Sequence, residues 1–299
     1  MGIFALLTFI ASGIYIQTRG KVRHAKLRRR LTDHSNVAGP FNILFYFFSK
    51  VPTKPFVDMD AFPELKVLQD HWEEIRDEAL KLNDVGAIKA SDELDDLGFN
   101  SFFKTGWTRF YLKWYGASLA SAKELCPKTT ELVDSLRVVK GGMFAMLPPG
   151  ARLVKHRDPF AGSLRYHMGL ATPNHDDCYL NVDGTDYSWR DGEVVMFDET
   201  YIHYAENKTD QNRIILFLDI RRPVTFPPID WLNTLFSNIV MAASTTKNMD
   251  GDKVGWANKL FGQVYKVRIV GKRLKAWNSH IYYTLQYGLY LWLGYLIFF

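Results

Sequence analysis

Two uncharged, largely apolar runs bound the chain, and its middle alternates between apolar and polar positions. Residues 2–16, GIFALLTFIASGIYI, carry no charge. As a helix they span roughly 22 Å, short of a bilayer core of about 30 Å. The segment that follows, QTRGKVRHAKLRRR, holds seven Lys/Arg and no acid. A secretory signal needs its positive charge before the apolar run and a small-residue cleavage site after it. This order of charges predicts an uncleaved anchor instead. Residues 281–299, IYYTLQYGLYLWLGYLIFF, are also uncharged and follow Lys259, Lys266, Arg268, Lys272, Arg273 and Lys275. They span roughly 28 Å as a helix. Both runs carry their basic flank toward the middle of the chain. By the positive-inside rule the region between them is expected in the cytoplasm, with the ends anchored in a membrane and the flanks facing anionic headgroups.

Between the ends, FNILFYFFS (41–49) is too short to span and suits either a membrane-grazing helix or a buried strand. In residues 60–82, Leu65, Leu68, Trp72, Ile75, Ala79 and Leu82 recur at intervals of three and four, which predicts a helix with one apolar stripe. Pro63 suits its first turn and Asp60 is a candidate cap. His71, within it, reads as a solvated or packing histidine. GWTRFYLKWYG (106–116) alternates and reads as a strand; PKTTELVDSL, after Cys126, reads as a short helix.

From residue 141 the pattern changes for about eighty residues. GMFAML, LRYHMGLAT, CYLNVDG, YSWRDG, EVVMFD, IHYAEN and RIILFLDI are short, β-branched or aromatic, and separated by Pro, Gly, Asn and Asp. Many short strands with regular turn signals predict an all-β sandwich or barrel. Asp183-Gly184 and Asp191-Gly192 mark turns. There is no internal repeat and no glycine-rich phosphate loop before a helix. The expected organisation is a membrane segment at 1–18, a basic and apolar linker at 19–59, a catalytic domain at 60–225, a basic region at 226–280 and a second membrane segment at 281–299.

The 299 residues suffice for one substantial domain, and aromatics reach 15%. The net charge of +5 is mild, so its distribution matters more than its total, and no nucleic-acid partner is expected. Cys126 and Cys178 are too few for a disulfide framework and are expected as reduced thiols.

The chemistry sits in the β region. His24, His34 and His280 lie near the ends and are expected on the surface. His156 and Asp158 form a His-x-Asp pair in HRDPF, and His203 follows 47 positions after His156. Two histidines and one carboxylate make the facial triad of non-haem Fe(II) oxygenases. Arg213 opens the apolar strand RIILFLDI, where a buried cation is costly unless it meets an anion. Arg165 and His167 alternate onto one face of RYHMGLAT. Together these residues suggest a metal and an acidic small-molecule cosubstrate. Other assignments compete. His203 suits a core histidine satisfied by Tyr201 or Asp198, Arg213 a partner of Glu206, and Asp158 a cap of the turn at Pro159. Asp198 or Glu199 could replace Asp158 as ligand, and zinc hydrolases also use two histidines and a carboxylate.

LPPGARLVKHRDPFAGSLRYHMGLATPN and YSWRDGEVVMFDETYIHYAENKTDQNRIILFLDIRRP resemble the aspartyl/asparaginyl β-hydroxylase family of 2-oxoglutarate-dependent dioxygenases over about residues 141–223. The rest of the chain, with its apolar ends, resembles the bacterial lipid A hydroxylase branch. The resemblance implies a double-stranded β-helix (jelly-roll) core with flanking helices. It also implies Fe(II), with 2-oxoglutarate and O2 as cosubstrates. His156 and His203 match the iron histidines, and Arg213 the arginine on the distal 2-oxoglutarate carboxylate. Arg165 and His167 match the pair near its other end. Two positions depart from the animal protein hydroxylases. Asp158 supplies a carboxylate that those enzymes lack, and Ala145 stands where they have a serine that helps hold the distal carboxylate. The implied function is 2-hydroxylation of a secondary acyl chain of lipid A at the cytoplasmic face of a bacterial inner membrane. The alternatives are Asp/Asn hydroxylation in a protein, or a non-catalytic membrane-anchored scaffold.

Overall fold

A computed structural model describes the backbone of residues 2–90, 96 and 98–298, with side chains except those of 100, 261–269, 297 and 298. The side chains of Lys266 and Arg268, and the whole of Phe299, therefore lie outside what is described. Among the described residues, ten strands build two sheets: β1 (Phe56–Val57), β2 (Thr108–Trp114), β3 (Val139–Leu147), β4 (Arg152–His156), β5 (Ser163–Ala171), β6 (Cys178–Val182), β7 (Thr185–Ser188), β8 (Val194–Phe197), β9 (His203–Asn207) and β10 (Arg213–Arg221). The order is β1-β8-β5-β10-β3-β2 in the large sheet and β4-β9-β6-β7 in the small one. Every named strand pair is antiparallel. The result is a β-sandwich of the double-stranded β-helix kind, with helices outside it.

β5 and β10 form the centre of the large sheet and are buried along nearly their whole length. Their near-continuous apolar sequences reflect cover on both faces, whereas β4 is largely exposed. β4 and the two-residue β1 lack the β-branched alternation that marked the other strands in sequence. Asp183 and Gly184 connect β6 to β7, and both have positive φ, 52° and 89°. That is the backbone a two-residue hairpin requires, so this Asp-Gly signal forms the expected turn.

The striped segment divides at His71 into helices Lys66–Asp70 and Trp72–Asp84. Leu65, Leu68, Ile75, Ala79 and Leu82 are buried in the main core, with Trp72 packed against it. The Glu78 carboxylate accepts hydrogen bonds from the amides of Lys128 and Thr129 (3.0 and 2.8 Å), which starts helix Pro127–Ser135. Residues 41–49, left open between helix and strand, contain most of helix Gly39–Phe47. Its Phe45 and Tyr46 join a second apolar cluster with Phe160, Val224 and Ile229. Both cysteines are free and buried.

The ends differ from expectation. Among the described residues no helix is long and apolar enough to cross a membrane. Helix Gly2–Thr18 has 17 residues, about 26 Å at helical rise, and packs Ser12 and Ile16 inward. Helix Ser279–Phe298 has 20 residues, but five Tyr with Thr284, Gln286 and Gly288 dilute its apolarity. The two helices touch each other and expose much of their apolar surface, including Ile3, Phe4, Leu7, Leu291 and Trp292.

Candidate metal centre

β4 and β9 are neighbours in the small sheet, and their register sets His156 opposite His203. Forty-seven residues of separation thus become one strand spacing, with the imidazole rings 4.2 Å apart between centroids. Each ring is fixed in the same way. His156 Nδ1 lies 2.7 Å from the carbonyl of Val154, and His203 Nδ1 lies 3.0 Å from that of Tyr201. A carbonyl only accepts, so Nδ1 carries the proton in both rings and Nε2 presents its lone pair. Burial lowers the pKa of both, that of His203 to about 3, which keeps them neutral as metal binding requires.

Asp158 stands two residues beyond β4, its amide bonded to the carbonyl of Glu199 at 2.9 Å. Its Oδ1 lies 3.6 Å from His156 Nε2. Burial alone would raise this carboxyl. Arg165, His203 and His156 overcome that effect and hold it at about 2. Among the described residues, His156, Asp158 and His203 are the grouping able to hold a metal, with one ligand atom from each within 4.8 Å of the others.

Most of the side chains that compete for these roles are engaged elsewhere. His203 uses the Tyr201 main chain only through Nδ1. Asp198 is committed to Arg19 and Arg222, at 2.7 and 2.9 Å. Glu199 accepts from Ser163 Oγ at 2.6 Å and pairs with Arg165. Glu206 pairs with Tyr179 and Lys208 rather than Arg213. Of the end histidines, His34 and His280 are exposed, but His24 is buried at 8% exposure, 3.5 Å from Asp33, contrary to its expected surface position.

Arg165 is buried on β5 among three carboxylates. It reaches Asp158 at 2.7 Å, Glu199 at 2.6 Å and Asp219 at 2.9 Å. Burial, with Asp219 and Asp158 nearby, raises the Glu199 pKa well above the ordinary range despite Arg165. Burial raises that of Asp219 as well. Tyr115 donates to Asp219 at 3.0 Å. One cation therefore holds the metal-site carboxylate in its ionised form while its two neighbours resist ionisation. The sequence reading missed Glu199 and Asp219 as Arg165 partners. The available signal was Asp219 itself, a charge within the apolar strand RIILFLDI.

In the same pocket, Arg213 and His167 are buried with few partners. Arg213 Nε and Nη2 have no hydrogen-bonding partner, nor does either ring nitrogen of His167. Burial draws the Arg213 pKa down to about 10, with no carboxylate offsetting it. The guanidinium stacks on Trp189, 4.4 Å from the ring centroid, and the buried Trp189 Nε1–H also lacks a partner. Ala145 is buried on β3 opposite Ile215 of β10. A buried cation beside unpartnered ring N–H groups forms a receptor for a small carboxylate. With the neutral histidines and ionised Asp158, these residues fit Fe(II) and 2-oxoglutarate. The pocket is also lined by Phe99, Phe102, Trp107, Leu153 and Tyr204.

The aspartyl/asparaginyl β-hydroxylase family model matches residues 69–223, slightly over half of the chain and including every residue of this site. The chain is similar to the ornithine lipid ester-linked acyl 2-hydroxylase of Rhizobium tropici, 28% identical over 229 residues, covering 74% of this chain and 79% of that protein. It is similar to human aspartate beta-hydroxylase domain-containing protein 2, 28% identical over 188 residues, covering 60% of this chain and 50% of that one. With human aspartyl/asparaginyl β-hydroxylase it shares 27% identity over 170 residues, covering 54% of this chain and 22% of that one. The chain thus spans half or less of these two human relatives. Among solved structures, a Pseudomonas putida prolyl-4-hydroxylase is similar at a TM-score of 0.36 and 17% identity, covering 52% of this chain and 88% of that chain.

Proposed function

The chain belongs to the aspartyl/asparaginyl β-hydroxylase family, and we propose that this hydroxylase acts on C2 of a secondary acyl chain of lipid A. The observation that carries an acyl substrate is the aromatic and aliphatic part of the metal-pocket lining, Phe99, Phe102 and Leu153, with the Phe102 ring 4.8 Å from that of His156. Such a lining favours a hydrocarbon over a peptide carrying a carboxylate or amide. The similarity to an acyl 2-hydroxylase supports the same choice.

With iron and 2-oxoglutarate bound, O2 would be the oxidant, two of its four electrons coming from 2-oxoglutarate and two from the acyl C–H. One O2 and one 2-oxoglutarate are consumed, the acyl C–H becomes C–OH, and succinate and CO2 leave. His156, Asp158 and His203 hold the metal. Arg213 would receive the distal carboxylate of 2-oxoglutarate, and the Trp189 N–H would supply the second donor that Ala145 cannot. Arg165 and His167 flank the near end. The described hydrogen bonds of Arg165 go to protein carboxylates, so it contributes charge there, while His167 contributes its free ring nitrogens.

Membrane contact is assigned to the exposed apolar helices at the two ends, with the basic segments against anionic headgroups at the cytoplasmic face. The test is mass spectrometry of lipid A from cells with the protein, without it, and with Asp158→Ala. The first should contain a species one oxygen heavier that the other two lack. An unchanged lipid profile in all three would transfer the assignment to protein hydroxylation.

A further inference from the structure

Beside the metal pocket, and sharing His156 with it, is an open cavity of 390 Å³. Its wall is cationic. Lys26, Arg28 and Arg29 come from the basic segment after the N-terminal helix, and Arg157 comes from the strand end between the metal ligands. His24 also lines it. The one carboxylate in the wall, Asp33, is already engaged by Ser35, Gln17 and His24. Arg157 is 2% exposed, and its Nε has no partner.

The basic segment is held in place. Asp183 accepts from the amides of Lys21 and Val22 at 2.8–2.9 Å, Arg157 donates to the carbonyl of Ile16 at 2.6 Å, and Arg29 donates to that of Lys155 at 2.9 Å. Four cations gathered round one cavity, one of them buried with an unpartnered N–H, repel one another unless an anion joins them.

We propose that this cavity binds the phosphate headgroup of the substrate lipid, and that this contact selects C2 for hydroxylation. The inference rests on the acyl-hydroxylase reading above. C2 is the carbon next to the ester carbonyl and is therefore the methylene of that chain nearest the headgroup. A headgroup held against the wall that ends in His156 brings that carbon, and not a distal one, to the metal. A multiply charged phosphate matches four cations better than the single carboxylate of a zwitterionic aminolipid.

The test uses the full chain and vesicles of neutral phospholipid doped with phosphorylated lipid A, enzymatically dephosphorylated lipid A, or ornithine lipid. Vesicle binding and hydroxylated product are measured separately. The phosphorylated lipid should bind at least tenfold more tightly than the other two. The double variant Lys26→Glu/Arg29→Glu should lose that preference, whereas Lys81→Glu, a charge change on an outer helix, should keep it. Equal wild-type binding of phosphorylated and dephosphorylated lipid overturns the proposal even if the double variant fails to fold. Millimolar inorganic phosphate that protects Arg29 from arginine-directed modification, with no added protection from phosphorylated lipid, reassigns the cavity to free phosphate. Selective binding without any hydroxylated lipid leaves the headgroup site standing and removes the acyl-hydroxylase reading instead.

Discussion

At the level of single residues, stability and function oppose each other at Arg213. A buried guanidinium lacking partners at Nε and Nη2 destabilises the fold without an anion. Arg213→Met retains the bulk and removes the charge. The variant without cosubstrate should be more stable than wild type by about 1–3 kcal/mol, the cost of an unmet buried polar group. It should also lose the rise in melting temperature that 2-oxoglutarate produces in wild type, about 2.7 kcal/mol at a hundredfold excess over Kd. Thermal melts with and without 2-oxoglutarate measure both, and a variant still stabilised by it would remove Arg213 from the site. Trp189→Phe keeps a ring under the guanidinium but loses the N–H. It should raise KM for 2-oxoglutarate roughly tenfold with little change in kcat, the mark of a ground-state contact worth about 1.5 kcal/mol. The histidines, Asp158 and Arg213 were legible in sequence because each is a polar residue where the β pattern calls for an apolar one or a turn. Trp189 was not, because a buried tryptophan looks like any other core residue until its N–H is seen without a partner.

At the level of elements, β5 carries Arg165 and His167 to the metal pocket, and its position depends on a close crossing at Gly169. The amide of Gly169 donates to Glu193 at 3.0 Å, and its carbonyl accepts from Gly192 at 2.9 Å. A Cβ there would lie 2.1 Å from the Arg190 carbonyl oxygen, a backbone atom that cannot rotate away. Gly169→Ala should therefore cost about 1–3 kcal/mol, the range for overpacking. It should also reduce 2-oxoglutarate affinity, because the turn carrying Trp189 and Arg190 must shift. Urea unfolding and cosubstrate titration test this, and a variant of wild-type stability would show that the crossing yields. Most strands from 141 to 221 were recognisable from alternation and turn residues. β4 was not, although it carries His156. It is an exposed edge strand with polar residues at most positions, so burial left no pattern in its sequence.

At the level of the whole molecule, a buried ion cluster ties the N-terminal segment to the sandwich. Asp198 is fully buried between Arg19, just after the first helix, and Arg222, just after β10. It also accepts from the Thr200 hydroxyl. Burial would raise its pKa, but Arg222 and Arg19 hold it well below the usual carboxylate range. Asp198→Asn leaves two buried cations short of a counter-charge and should cost about 3–5 kcal/mol. The folded pKa is depressed, so the Asp198 contribution is complete above the unfolded carboxyl pKa and is lost as pH falls through the folded value. The stability gap between wild type and variant should be flat from neutral pH to the top of the carboxylate range and narrow only below it. A gap that narrows near pH 6 would assign the effect to a histidine. The same cluster fixes the start of the basic segment that lines the cationic cavity, and so couples fold stability to the proposed headgroup site.

The sequence by itself determined which residues were candidates for the chemistry. His156, Asp158, His203 and Arg213 are types whose burial needs a metal, an anion or hydrogen-bonding partners, and the resemblance to a known family chose among these without coordinates. The sequence also determined the class of fold, because strand alternation and Asp-Gly turns are local. Only the tertiary structure decided what surrounds those groups. Arg165 meets three carboxylates from three parts of the chain, and Trp189 stacks on Arg213 from 24 residues away. The basic segment, which in sequence resembled a membrane flank alone, folds back against the metal site. Such contacts join positions far apart in the chain, so they leave no period in it; they follow from register and packing.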